Sequence, residues 1–107
     1  MLPFALSLAM LAGDATATTP GVATYYRGHQ LAGQARISLS HARTIALKAR
    51  PGIIADQVLD KEAGGSGLRY TFDIFSSGKI YEVGVDAKTS KVLENDVESA
   101  AEGATER

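Results

Sequence analysis

His29 and His41 are the only imidazoles in the 107-residue chain, and they stand twelve positions apart. A zinc hydrolase needs an H-E-x-x-H helix or a comparable ligand set, and no such pattern occurs. With no cysteine, thiol nucleophiles, Cys-ligated zinc and disulfide frameworks are excluded. Asp56, Asp60 and Glu62 recur at even spacing. On a strand they share one face and offer carboxylate oxygens to a hard cation such as calcium. They lack the spacing of an EF-hand loop, so a solvated strand face is the simpler reading. Gly64-Gly65-Ser66-Gly67 is glycine-rich but has no G-x-x-x-x-G-K-[ST] pattern. It also joins two strands, whereas a phosphate cradle draws on amides at a helix N-terminus. Ser66 and Ser77 have no neighbouring His-Asp constellation to activate a hydroxyl. Tyr70, Phe72 and Tyr81 have the spacing of strand residues facing a helix, which makes them core rather than a ligand-stacking face. No residue is therefore assigned a catalytic, cofactor-binding or metal-ligating role.

The elements that carry these residues follow from periodicity. Leu39, Ala42, Ile45, Ala46 and Ala49 recur at three and four spacing and form one helical stripe. Ser38 is suited to cap that helix, since its hydroxyl can accept from the free amides of the first turn. Pro51-Gly52 stops it. Beyond Gly52 the period becomes two. Residues 53–62 predict a first strand whose apolar positions fall on both faces, a conflict that a bulge resolves. Residues 68–75 alternate cleanly: Leu68, Tyr70, Phe72 and Ile74 point inward, Arg69, Thr71 and Asp73 outward. Ser76-Ser77-Gly78 predicts a short turn with Gly78 at positive φ. In the third strand Tyr81, Val83 and Val85 point inward, with Glu82 and Asp86 outward. Asp86 can close the turn at 86–90 through its carboxylate, and residues 91–94 form a short last strand. The expected fold is α+β, one helix packed on an antiparallel sheet of three to four strands.

The flanks read differently. Residues 2–12 are apolar apart from Ser7, and Ala15-Thr16-Ala17 is a small-x-small triplet. This is the length and ending of a secretory signal peptide over 1–17, too short to span a bilayer. Export places the protein in the periplasm or outside the cell, with no stable membrane insertion after cleavage. Residues 18–35, with Pro20, Gly21, Gly28 and Gly33, read as a flexible linker, and 36–96 as the domain. Residues 97–107 have no large apolar side chain after Val97 and read as an acidic solvated tail. Eleven basic against twelve acidic residues argue against a nucleic-acid partner. A core of about 60 residues buries only about 60% of its unfolded surface. Help from a protein partner, or from a second copy pairing through exposed edge strands, is therefore expected.

The stretches Ile37-Ser38-x-x-x-Ala42, Ile45-Ala46, Pro51-Gly52, Tyr70-x-Phe72-x-Ile74 and Tyr81-x-Val83-x-Val85-Asp86-Ala87-Lys88-Thr89-x-Lys91-Val92 together resemble the PepSY domain. The closing stretch is the most specific part. Ser90 stands where that family commonly has Gly, and His41 where an acid is common. The resemblance implies a helix on a sheet, as in beta-lactamase-inhibitor-like modules, and no catalytic residues or cofactor. It also implies the company of secreted metalloprotease propeptides and envelope proteins. The expected function is a non-catalytic exported binding module that regulates or inhibits a protease or another envelope protein. The alternative is a small-ligand or metal-ion binding periplasmic protein that uses the acidic strand face.

Overall fold

Ser38 lies in extended backbone just outside helix α1, Leu39–Ala49, and its Oγ accepts from the amide of His41 at 3.0 Å. That bond satisfies one of the orphan donors of the first turn. A computed structural model describes residues 26–98 of the protein; the expected leader at 1–17, residues 18–25 and residues 99–107 lie outside the described part. At the far end of α1 the amide of Arg50 donates to Ala46 O and Pro51 ends the helix. The Arg50 guanidinium sits 3.8 Å from the Tyr81 ring centroid, and its Nε donates to Asn95 Oδ1. Asn95 in turn donates to the Ala49 carbonyl, so the helix end is fastened to the sheet below it. Leu39, Ala42 and Ala46 are buried, while Ile45 and Ala49 pack at the margin of the same stripe.

Four strands follow: β1 (Ile53–Lys61), β2 (Leu68–Ser76), β3 (Lys79–Asp86) and β4 (Val92–Val97). They form one antiparallel sheet in chain order. A register shift between Ile54 and Asp56 puts a bulge at Ala55. It turns Ile54, opposite Ile74, and Leu59, opposite Tyr70, to the same inner face, which settles the conflict seen in the sequence. Leu59, Phe72, Ile74, Val83 and Val85 are fully buried under α1. Tyr70 stacks near Phe72 and donates its hydroxyl proton to the Ile37 carbonyl at 2.9 Å. The last strand is longer than residues 91–94. It runs to Val97, and the Glu98 amide still donates to Ile80 O at 2.7 Å. The ladder on β3 thus draws in two residues that composition alone assigns to a tail.

Residues 26–35, expected as linker, fold as a strap across the edge of β1. Arg27 bridges to Val58, and the Leu59 amide donates to Arg27 O at 3.0 Å. A 3₁₀ helix, His29–Gln34, follows, and Tyr26, Leu31 and Ala35 pack against the core. Gly28 makes this approach feasible: its φ is 89°, and a Cβ there would collide with the Leu59 backbone. The sequence conceals the strap because its apolar residues follow neither helical nor strand period.

Ser77 and Gly78 both have positive φ, the pattern of a two-residue hairpin turn matched to the twist of the strands. Ser90 also has positive φ, 75°, which an L side chain adopts at a cost. Ser90→Gly is expected to stabilise the domain by about 0.5–1 kcal/mol, the balance of relieved strain and added unfolded-chain entropy. Urea denaturation at pH 7 measures it. Phe72→Ala, at the centre of the core, is expected to cost about 3–5 kcal/mol in the same assay.

Candidate functional site

The end of β3 holds the one acidic residue that is fully enclosed among the described residues. Asp86 points to the side of the sheet away from α1, as expected, yet none of its surface reaches solvent. The loop between β1 and β2 folds over it. Its carboxylate accepts from the Ser66 amide at 2.6 Å and the Ser66 hydroxyl at 2.8 Å. It also accepts from the Lys88 and Thr89 amides at 2.8 and 2.9 Å, closing the turn as the sequence indicates. A Cβ at Gly65 would strike this carboxylate, so the loop needs glycine to come so near. Burial alone would disfavour the charged form of Asp86. The four donors outweigh it and hold the carboxyl well below the usual carboxylate range. The next residue extends the junction: Ala87 N donates to Leu68 O, while Ala87 O accepts from Arg36 N and Ile37 N.

The face of the sheet opposite α1 is otherwise open and graded. Strand pairing sets Ile53, Phe75 and Ile80 side by side at one end. Ile53 is 69% and Phe75 46% exposed. The next row is acidic: Asp56, Asp73, Glu82 and Asp96, one from each strand. Asp73, Glu82 and Glu98 bring carboxylate oxygens within 4.8 Å of one another. They border a shallow depression of about 220 Å³ with Arg27 at its rim. Burial raises Asp73 above its usual range, and the Asp56 charge adds to this, while Arg27 and a hydrogen bond with Glu98 pull back. Burial likewise raises Glu82, reinforced by Glu94, Asp73, Glu98 and Glu62. Farther along, Arg69 lies buried on the same face, donating to Glu94 at 3.3 Å and to Ala63 O at 3.1 Å.

The residues singled out in the sequence do not converge. Asp56 pairs with Arg27 at 2.7 Å, and Glu62, just past β1, lies 4.0 Å from Arg69. Asp60 sits opposite Arg69 in the β1–β2 ladder with one carboxylate oxygen, Oδ1, buried and without a hydrogen-bond partner, so the three acids form no common site. His29 stands on the strap edge-on to Tyr26, and His41 is exposed in the first turn of α1. Ser66 is a structural donor to Asp86, and Ser77 sits in the β2–β3 turn. Tyr70 and Phe72 are core, and Tyr81 lies half-buried beneath Arg50. The grouping of Asp73 with Glu82 is available from the sequence in principle. A two-residue loop at Ser77-Gly78 pairs Ser76 with Lys79, and counting back pairs Asp73 with Glu82. Glu98 is hidden there, because the composition around it is that of a tail.

A family model described as "Peptidase propeptide and YPEB domain" (PepSY) matches residues 36–96. The chain belongs to the PepSY family. The matched span runs from the residue before Ile37 through almost all of β4, so it includes α1, the Asp86 junction and the acidic row from Asp56 to Asp96, with Arg27 and Glu98 outside it. The strap formed by residues 26–35 precedes it. Neither the curated proteins nor the solved structures searched contain a match. Among the described residues, no helix is long and apolar enough to cross a membrane.

Opposite pH behaviour is expected from the two kinds of acid. Asp86 is depressed in the folded state, so its contribution is complete above the unfolded carboxylate value of about 3.9 and fades as pH falls below it. Asp86→Asn is expected to cost about 3 kcal/mol at pH 7, a deficit that narrows in urea titrations below about pH 4. Glu82 is raised, so the native state binds more protons than the unfolded chain above that value, and stability falls as pH rises through this window. Glu82→Gln is therefore expected to raise the urea midpoint at pH 7, with a gain that shrinks in high salt and at low pH.

Proposed function

We propose that this PepSY domain is a non-catalytic exported binding module that regulates or inhibits a protease or another protein of the cell envelope. The observation that carries the reading is the PepSY match itself, which covers α1 and the sheet and ties the chain to peptidase propeptides. The site chemistry agrees with it. Ser66 and Asp86, the nearest approach to a nucleophile and its partner, spend their polar atoms on the loop junction. The surface they leave is a broad acidic and apolar sheet face, a shape suited to another protein. The periplasmic or secreted location rests on the leader reading of residues 1–17.

The metal-ion alternative draws on the Asp73, Glu82 and Glu98 grouping. Three partly exposed acids are a sparse ligand set for calcium, which takes six to eight oxygens. Protein binding is the better-supported reading.

The test uses the mature chain as immobilised bait in an envelope extract of the source cells, followed by assays of any protease retained. The expected result is a retained protease whose activity falls in proportion to added domain. Retention of nothing at micromolar bait, or of proteases that stay fully active, would contradict the regulatory reading. A calorimetric titration that binds calcium, zinc or copper in its place would favour the alternative.

A further inference from the structure

We infer that the outer edge of β4 is a docking site for an extended segment of a partner protein in which basic and apolar residues alternate, added to the sheet as a fifth strand. The inference rests on the protein-binding reading and specifies its partner. A sheet with four strands in chain order has two edges, β1 and β4. The strap occupies the first: Arg27 bridges to Val58 and accepts from the Leu59 amide. Among the described residues nothing pairs with the outer side of β4.

The ladder fixes what that edge offers. The Glu98 amide donates to Ile80 O. In an antiparallel pair alternate residues turn their backbone groups to opposite sides. Glu94, Asp96 and Glu98 therefore direct their backbone toward β3, and Asn95 and Val97 direct theirs outward. The side chains divide as well. Glu94, Asp96 and Glu98 lie on the open face beside Gly84, Glu82 and Ile80, whereas Asn95 and Val97 lie on the α1 side. Val97 is 45% exposed there.

A fifth strand would place its side chains about 4.5–5.5 Å, Cβ to Cβ, from their β4 neighbours. On the open face those neighbours are carboxylates, and Glu82 in the next strand is already held high by burial and by the acids around it. Lys or Arg fits there. On the α1 side the neighbour left uncovered is Val97, and an apolar residue fits. A second copy of this chain fits poorly: pairing β4 with β4 sets the acidic series against its twin, and like charges across strands repel. At the other edge the strap's bridge between Arg27 and Val58 interrupts β1 midway and leaves a shorter run for pairing. The same charges that keep copies apart thus select a basic partner.

The experiment follows backbone amide exchange in the isotope-labelled full chain on adding an eight-residue capped peptide of alternating Lys and Val. Controls are a peptide with the same lysines and valines in two blocks, and one alternating Glu with Val. Slowed exchange at Asn95 and Val97 is expected for the alternating basic peptide, with binding about tenfold weaker for either control. Val97→Pro deletes an outward N–H without touching the β3 ladder and is expected to lose binding by about the same factor. If that variant melts early, Asp96→Lys serves instead, and is expected to shift preference to the acidic peptide. Equal binding of the block peptide, or perturbation centred on Ile53, Phe75 and Ile80, would overturn edge addition. So would no binding at all, or full binding by a folded Val97→Pro. Should that variant still capture and inhibit an envelope protease, the edge inference fails while the regulatory reading stands. Peptide binding without any protease inhibition gives the reverse, an edge that docks a strand in a domain that does not regulate proteolysis.

Discussion

The carboxylate of Asp86 is the point at which separate parts of the chain are tied together. Taking a charge out of water is unfavourable by several kcal/mol unless its lone pairs are met. Here they are met from two directions, by Ser66 from the β1–β2 loop and by Lys88 and Thr89 from the turn after β3. The peptide that follows binds the start of β2 through Leu68 and the entry to α1 through Arg36 and Ile37. Two adjacent residues thus set the position of one hairpin loop, one turn and the helix entrance relative to the sheet. A small core with few large side chains gains definition from such a junction, because each loop it fixes also fixes the register of the strands beside it.

The two faces of the sheet divide the work. Toward α1 the demands are steric: Ala42 and Ala46 let the helix settle close, and Tyr70 and Asn95 bond its two ends. Away from α1 the demands are electrostatic. Carboxylates from all four strands share one row, with Arg27 and Arg69 as partial counterweights. The strap adds a further asymmetry: it bridges the β1 edge at Val58, whereas among the described residues nothing pairs outside β4. A sheet with one packed face, one charged face and a bridge across its β1 edge has few orientations in which to meet another protein, and that restriction is a basis for specificity.

Much of this is legible in the residues. The stripe of α1 stands out because Ser38 and Pro51 bracket it, and β2 and β3 stand out because Leu68, Tyr70, Phe72 and Ile74, and then Tyr81, Val83 and Val85, recur at every second position. The closing turn is readable because Asp86 acts within its own neighbourhood. What escapes a reading of the sequence depends on distance in the chain. Ser66 lies twenty positions from Asp86, and no local pattern announces that the loop folds back over it. The strap has no period because its apolar residues meet β1 and the core through an irregular turn. Glu98 has the surroundings of a tail, and only the β3 ladder claims its amide. The acidic face is half-visible: the outward positions follow from alternation, but their convergence needs the register of three strands.

The most direct test of the Asp86 junction is a carbon-detected pH titration of its side-chain carboxyl, read together with the amide signals of Ser66, Lys88 and Thr89. The Asp86 carboxyl shift is expected to stay flat through the ordinary carboxylate range, with the three amides keeping their bonded positions until the domain unfolds in acid. An Asp86 carboxyl that titrates near pH 4 while the sheet and helix remain intact would show that the junction does not hold the fold together.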